Sequence, residues 1–202
     1  MREPNEVSAA SRPPSEVQEE ARIMQAARRD PALFAPIYER YFARIYGYCL
    51  RRVATPQEAE DLASLVFTRA LAGLQDYQGG PVAVWLFRIA HNAVANHYRA
   101  QRPQVSLEAT DLDMADDGPG PGERFAEAET QQALRALVAA LPANQQDLLA
   151  LKIVGGLTSH AISAVTGKSA GAVRVELHRI IKRLRTQFTE RYGVEIDQEG
   201  RR

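Results

Sequence analysis

The chain has one cysteine in 202 residues, Cys49, one tryptophan, Trp85, and no net charge at neutral pH. A single cysteine excludes an intrachain disulfide and a cysteine-rich zinc site. Cys49 falls inside an apolar helical pattern and is expected to be a small core residue. No apolar run is long enough to span a bilayer and no signal peptide is recognisable. The expected location is therefore the cytoplasm, with no direct membrane insertion. Also missing are a nucleophile–base pair, a metal-ligand spacing and a phosphate-binding loop, so neither metal, cofactor nor enzymatic activity is expected. His91 and His97 are six residues apart, the wrong spacing for a shared metal on one helical face. His97 falls on the apolar side and reads as a packing histidine.

Zero net charge looks unsuited to a nucleic-acid binder, but the charges are segregated. Residues 101–130 carry two basic residues against eight acids, a net of −6. Residues 131–185 carry eight basic residues against two acids, a net of +6. An acidic segment thus precedes a cationic module suited to phosphate.

Helical periodicity dominates, with no period-two strand and no internal repeat. A short helix to about Arg29 has a capping box at Ser15 and Gln18. Asp30-Pro31 opens a strong apolar stripe containing Ile37, Tyr41 and Ile45. Thr55-Pro56-Gln57-Glu58 is a second capping box, and Gln78-Gly79-Gly80-Pro81 ends the helix it starts. A third helix runs from about Val82 to Gln101. Proline, glycine and acids fill the next stretch. Pro142, Gly155-Gly156 and Gly167 then divide the remainder into four helices. The expected fold is all-α: two small helical domains joined by a flexible acidic linker, the C-terminal one a helix-turn-helix. The expected limits are a disordered 1–14, a first domain 15–102, a linker 103–125, a second domain 126–190 and a tail 191–202.

Two helices carry faces suited to nucleic acid. Trp85, Arg88, Asn92, Asn96 and Arg99 share one face at steps of three and four. An indole can stack on bases, amides can read base edges and guanidiniums can hold phosphates. Trp85 reads equally as a packing residue bordering that surface. In the last helix Val173, Leu177, Ile180, Leu184 and Phe188 form the apolar back, while Gly171, Arg174, Val175, His178, Lys182 and Arg185 lie opposite. Gly167 suits the end of the preceding helix and Ser169 an N-cap, which is the pattern of a DNA-reading helix-turn-helix.

In order and spacing, PALFAPIYERYFARIYGYCLRR, TPQEAEDLASLVFTRAL, VWLFRIAHNAVANHYR and LPANQQDLLALKIVGGLTSHAISAVTGKSAGAVRVELHRIIKRLR cover about residues 20–190. Together they resemble the extracytoplasmic-function (ECF) group of bacterial sigma factors, the promoter-recognition subunits of RNA polymerase. The resemblance implies that the first domain is sigma region 2, which binds core polymerase and melts the −10 element. The second would be region 4, which binds the −35 element. The chain has no room for the extra regions of primary sigma factors. Glu58, Glu60, Asp61, Leu62 and Phe67 match the core-binding motif, although Ser64 and Leu65 stand where the family has a Gln-Glu or similar pair.

For the −10 element the resemblance implies Gly79 and Gly80 in a base-capturing loop, with Trp85, Arg88, Asn92, Asn96, Tyr98, Arg99 and Arg102. For the −35 element it implies Ser169, Gly171, Arg174, Val175, His178, Arg179, Lys182 and Arg183. Glu176 replaces a common base of the family; an ion pair with Arg179, three residues on, is expected in preference to a contact that accepts from a cytosine amino group. The implied partners are core RNA polymerase, promoter DNA and an anti-sigma factor. The alternative is a helix-turn-helix repressor with a helical ligand or dimerisation domain, which explains the last domain but neither the polymerase motif nor the Trp85 face.

Overall fold

Capping chemistry sets where the helices begin. The computed structural model describes residues 14–100 and 121–192, with side chains from 16 and from 130 onward in these segments. The first helix, α1, spans Pro14–Ala27. Asp30 then accepts a hydrogen bond from the Ala32 amide at 3.0 Å, opening a 3-10 turn, Pro31–Phe34, that leads into α2, Ala35–Leu50. The Thr55 capping box is complete: the Glu58 amide donates to Thr55 Oγ1 at 3.2 Å and the Thr55 amide to Glu58 Oε2 at 3.1 Å. It starts α3, Pro56–Ala72. Gly79 and Gly80 take φ of 93° and 92°, a left-handed backbone that side chains oppose. They turn the chain into α4, Val82–Ala100.

Helices α2, α3 and α4 bury the stripes that the sequence marks. Tyr41, Tyr48, Ile37, Ile45, Val66, Leu86 and Phe87 are fully enclosed. Truncating an aromatic such as Phe87 to alanine in such a core costs about 3–5 kcal/mol. Helix α1 is tied on by a buried acid, Glu20, whose carboxylate accepts from Arg40 Nη1 at 3.1 Å and from the Tyr41 hydroxyl at 3.2 Å. Cys49 is buried, as its pattern implies, and burial pushes its thiol up to about 12.

The second domain comprises α5, Pro121–Ala139; α6, Ala143–Ile153; α7, Ser159–Thr166; and α8, Ala170–Tyr192. Helix α8 lays Val173, Leu177, Ile180, Leu184 and Phe188 into the core against α5, α6 and α7. Thr158 caps α7 through the Ala161 amide at 3.1 Å, Gly167 ends it at φ 76°, and Ser169 caps α8 through the Ala172 amide at 3.2 Å. The α7–Gly167–α8 unit is the helix-turn-helix.

Of the expected disordered start 1–14, linker 103–125 and tail 191–202, residues 1–13, 103–120 and 193–202 lie outside the described residues, while Pro14 and residues 191 and 192 are helical. Helix α5 begins at Pro121, before the expected start near 126, because proline suits a first helical position. Among the described residues no helix is long and apolar enough to cross a membrane. The two domains touch: α4 packs on α7, and α2 meets the turn after α6.

Candidate polymerase and DNA interfaces

The start of α3 divides its candidate residues into two groups. Glu60 and Asp61 are exposed. Glu58 is not available in the same way. Its carboxylate accepts from the Ala54 and Thr55 amides, each at 3.1 Å, and lies 3.5 Å from His97 Nε2 of α4. Leu62 and Phe67 are 5% and 3% exposed and pack in the core of the domain. Phe67 meets Tyr38 edge-on at 4.7 Å. The helical period that brings Asp61 outward turns Leu62 inward, and the capping box engages Glu58. The exposed face beside Asp61 carries Ser64 and Leu65. His97 packs between helices as expected, with the added contact to Glu58.

Helix α4 presents its polar face beside an open cleft of about 290 Å³, lined by Arg69, Gly73, Asp76, Trp85, Ile89 and Asn92. Trp85 packs and also lines the cleft. It is half-buried, its ring 5.1 Å from that of Tyr77, and its free side borders the cleft. Asn92, Asn96 and Arg99 are exposed. Gly79 and Gly80 are also exposed, and their loop is braced by the Tyr77 hydroxyl donating to the Gly80 carbonyl. Tyr98 is 44% exposed, with its hydroxyl anchored on the Arg52 carbonyl. Arg88 is exposed, yet its guanidinium donates to the Ala164 carbonyl of α7 at 2.9 Å. Arg102 lies outside the described residues. Sequence reasoning missed Arg69 and Asp76, which reach the cleft from α3 and the turn after it. No spacing along α4 signals a residue contributed by another element.

Helix α8 exposes Gly171, Arg174, Val175, His178, Arg179, Lys182 and Arg183 together, with Ser169 just before it. Val175 is 50% exposed. Glu176 does not pair with Arg179. Its carboxylate takes Lys168 Nζ at 2.7 Å and Asn144 Nδ2 at 3.3 Å, stapling α8 to the turn before it and to α6. Those partners converge on Glu176 from two other elements, while residue 179 faces outward. The result is a basic surface over a buried apolar back, shaped as one helix that a DNA major groove admits.

Comparison with known proteins agrees with this geometry. The model for Sigma-70 region 2 matches residues 37–104, and that for Sigma-70 region 4 matches residues 131–184. The chain is 32% identical to the ECF RNA polymerase sigma factor BldN of Streptomyces coelicolor over 182 residues, covering 86% of this chain and 68% of the relative. It is 26% identical to the ECF RNA polymerase sigma factor SigW of Bacillus subtilis, covering 84% of this chain and 96% of the relative. Among solved structures, CnrH in complex with the cytosolic domain of CnrY superposes with a TM-score of 0.61 at 20% identity, over 83% of this chain and 95% of that one. With the matched regions covering both helical domains in order, the chain belongs to the ECF group of RNA polymerase sigma factors.

Proposed function

We propose that this sigma factor divides its work between three surfaces. The exposed acids Glu60 and Asp61 at the start of α3 meet core RNA polymerase. The cleft beside Trp85, with Asn92 on one side and the Gly79-Gly80 loop at the head of α4, receives unpaired bases of the −10 element. Aromatic stacking contributes about 1–3 kcal/mol per base, and the adjoining Asn96 and Arg99 continue the polar track. The N-terminal part of α8, with Arg174, Val175 and His178, reads −35 base edges, while Arg179, Lys182 and Arg183 hold phosphates.

The observation that carries this reading is the pairing, in one chain, of an aromatic-and-amide cleft on α4 with an exposed basic helix on α8. A repressor of duplex DNA needs the second surface but has no use for a base-receiving cleft. Catalysis belongs to the polymerase, and the protein acts beside it in the cytoplasm. Membership of the ECF group supports an anti-sigma protein as a further partner. The test is binding of a promoter duplex, alone and with core polymerase. Stable, sequence-specific binding that appears with core supports the sigma assignment. Equally tight specific binding without core favours the repressor.

A further inference from the structure

The basic surface of α8 has an acid set into its edge. From residue 148 to residue 189 Glu176 is the only acid, against seven lysines and arginines. It stands three residues before Arg179 and seven before Arg183, so it shares their flank of the helix. Its carboxylate meets Lys168 Nζ at 2.7 Å through Oε2 and accepts from Asn144 Nδ2 at 3.3 Å through Oε1.

Lys168 occupies the turn of the helix-turn-helix. It lies between Gly167, which ends α7 at φ 76°, and Ser169, which caps α8. Its backbone is fixed, since the Ser163 hydroxyl donates to its carbonyl at 2.6 Å. Only the side chain is left to choose a partner, and it is 37% exposed. At the head of a helix laid in a DNA groove, an ammonium has two kinds of anion to meet. One is a phosphate on the flank that Arg179 and Arg183 share; the other is the carboxylate it now holds. A lysine ammonium is a compact point charge that suits either.

An ion pair this open to water adds little to stability. Its larger effect is on the field of α8: it cancels one positive charge on the side that faces DNA. A lysine so cancelled displaces no counterion from phosphate.

We propose that Glu176 withholds Lys168 from promoter phosphate and so limits the sequence-independent part of the grip of α8 on DNA. Base contacts then carry a larger share of binding, because phosphate contacts hold every sequence alike. The inference rests on the assignment of α8 to the −35 element.

Glu176→Gln separates charge from fold, because its amide oxygen still accepts from Asn144 while the charge that holds Lys168 is gone. Holoenzyme assembled from core polymerase and the full chain is bound on ice to a duplex carrying a −35 element, and to one with that element scrambled, over a range of salt concentrations. A released lysine that reaches phosphate steepens the fall of log affinity with log salt by about 0.9. Lowering salt fourfold then strengthens Glu176→Gln about three- to fourfold more than wild type, on both duplexes. Lys168→Gln leaves the slope nearly unchanged in the wild-type chain but removes the added steepness from the Glu176→Gln chain. Lys182→Ala, measured alongside, reports whether α8 meets phosphate at all. If Lys182→Ala flattens the slope and Glu176→Gln does not steepen it, the withholding is overturned and the −35 assignment stands. Lys168→Gln that flattens the slope equally in both backgrounds also overturns it, since the lysine then acts independently of Glu176. If neither Lys182→Ala nor Glu176→Gln moves the slope, the −35 assignment falls and the withholding falls with it.

Discussion

The Tyr48 hydroxyl donates to Asp147 Oδ1 at 2.6 Å, joining residues 99 positions apart and bridging the two domains. Burial acts to raise the Asp147 carboxyl, but hydrogen bonds from His91 and Tyr48 and the charges of His91 and Arg52 outweigh it and hold the group below its ordinary value. The same contact, with burial foremost, drives the Tyr48 phenol well above its own. A carboxyl with a lowered folded value contributes stability that is present above its ordinary value and lost as pH falls through the folded one. The domains are thus expected to part in acid below the ordinary carboxylate range, before the N-terminal core unfolds. At neutral pH, Tyr48→Phe removes one donor to a buried charge and is expected to cost about 1.5–3 kcal/mol. Denaturant titration of both proteins at neutral pH, and scattering as pH is lowered, measure these effects. An unchanged midpoint and an unchanged radius would show that the contact is without weight.

At α3, neighbouring residues are expected to fail in different ways. Asp61→Ala should leave the melting temperature unchanged and weaken capture of core polymerase, since the side chain is exposed. Leu62→Ala should cost about 2–5 kcal/mol of stability, because it opens a cavity in the core. Thermal melts paired with a pull-down on core separate the two. Wild-type capture by a folded Asp61→Ala would remove the acid from the interface.

Trp85→Ala and Asn92→Ala are expected to reduce strand opening more than closed-complex binding. Permanganate reactivity of thymines in the −10 region reports the first, and filter binding on ice the second. The tryptophan also packs on Tyr77, so a melt of each variant accompanies the assay. Normal reactivity in both folded variants would reduce Trp85 to its packing role.

Along α8, Arg174→Ala should change which −35 sequences are used, by about 1–3 kcal/mol at one position. Lys182→Ala should weaken all sequences alike and make the salt slope shallower by about one. Selection from a randomised −35 library at two salt concentrations distinguishes them. A uniform loss for Arg174→Ala would move the reading residue elsewhere on the helix.

What could be read from the sequence was what one segment decides alone. Thr55, Asp30 and Ser169 mark helix starts because a cap is a bond to an amide two or three residues on. The α8 stripe is legible because its spacing alone defines the buried face. What escaped was settled between segments. Asp147 stood in the sequence as one of two acids in a basic module, with nothing to announce Tyr48, Arg52 and His91 as its partners. Glu176 found Lys168 and Asn144 rather than the neighbour three residues along its own helix. Arg69 and Asp76 reach the Trp85 cleft only once α3 is packed on α4.

The claim that all of this serves is promoter-directed initiation, and run-off transcription with purified core polymerase tests it most directly. Core alone should yield no specific product from genomic promoter fragments. Core with this protein should yield discrete transcripts whose mapped starts lie downstream of shared sequences near −10 and −35. Products that are the same with and without the protein, or protein that binds those fragments tightly and merely suppresses transcription by a holoenzyme, would contradict it.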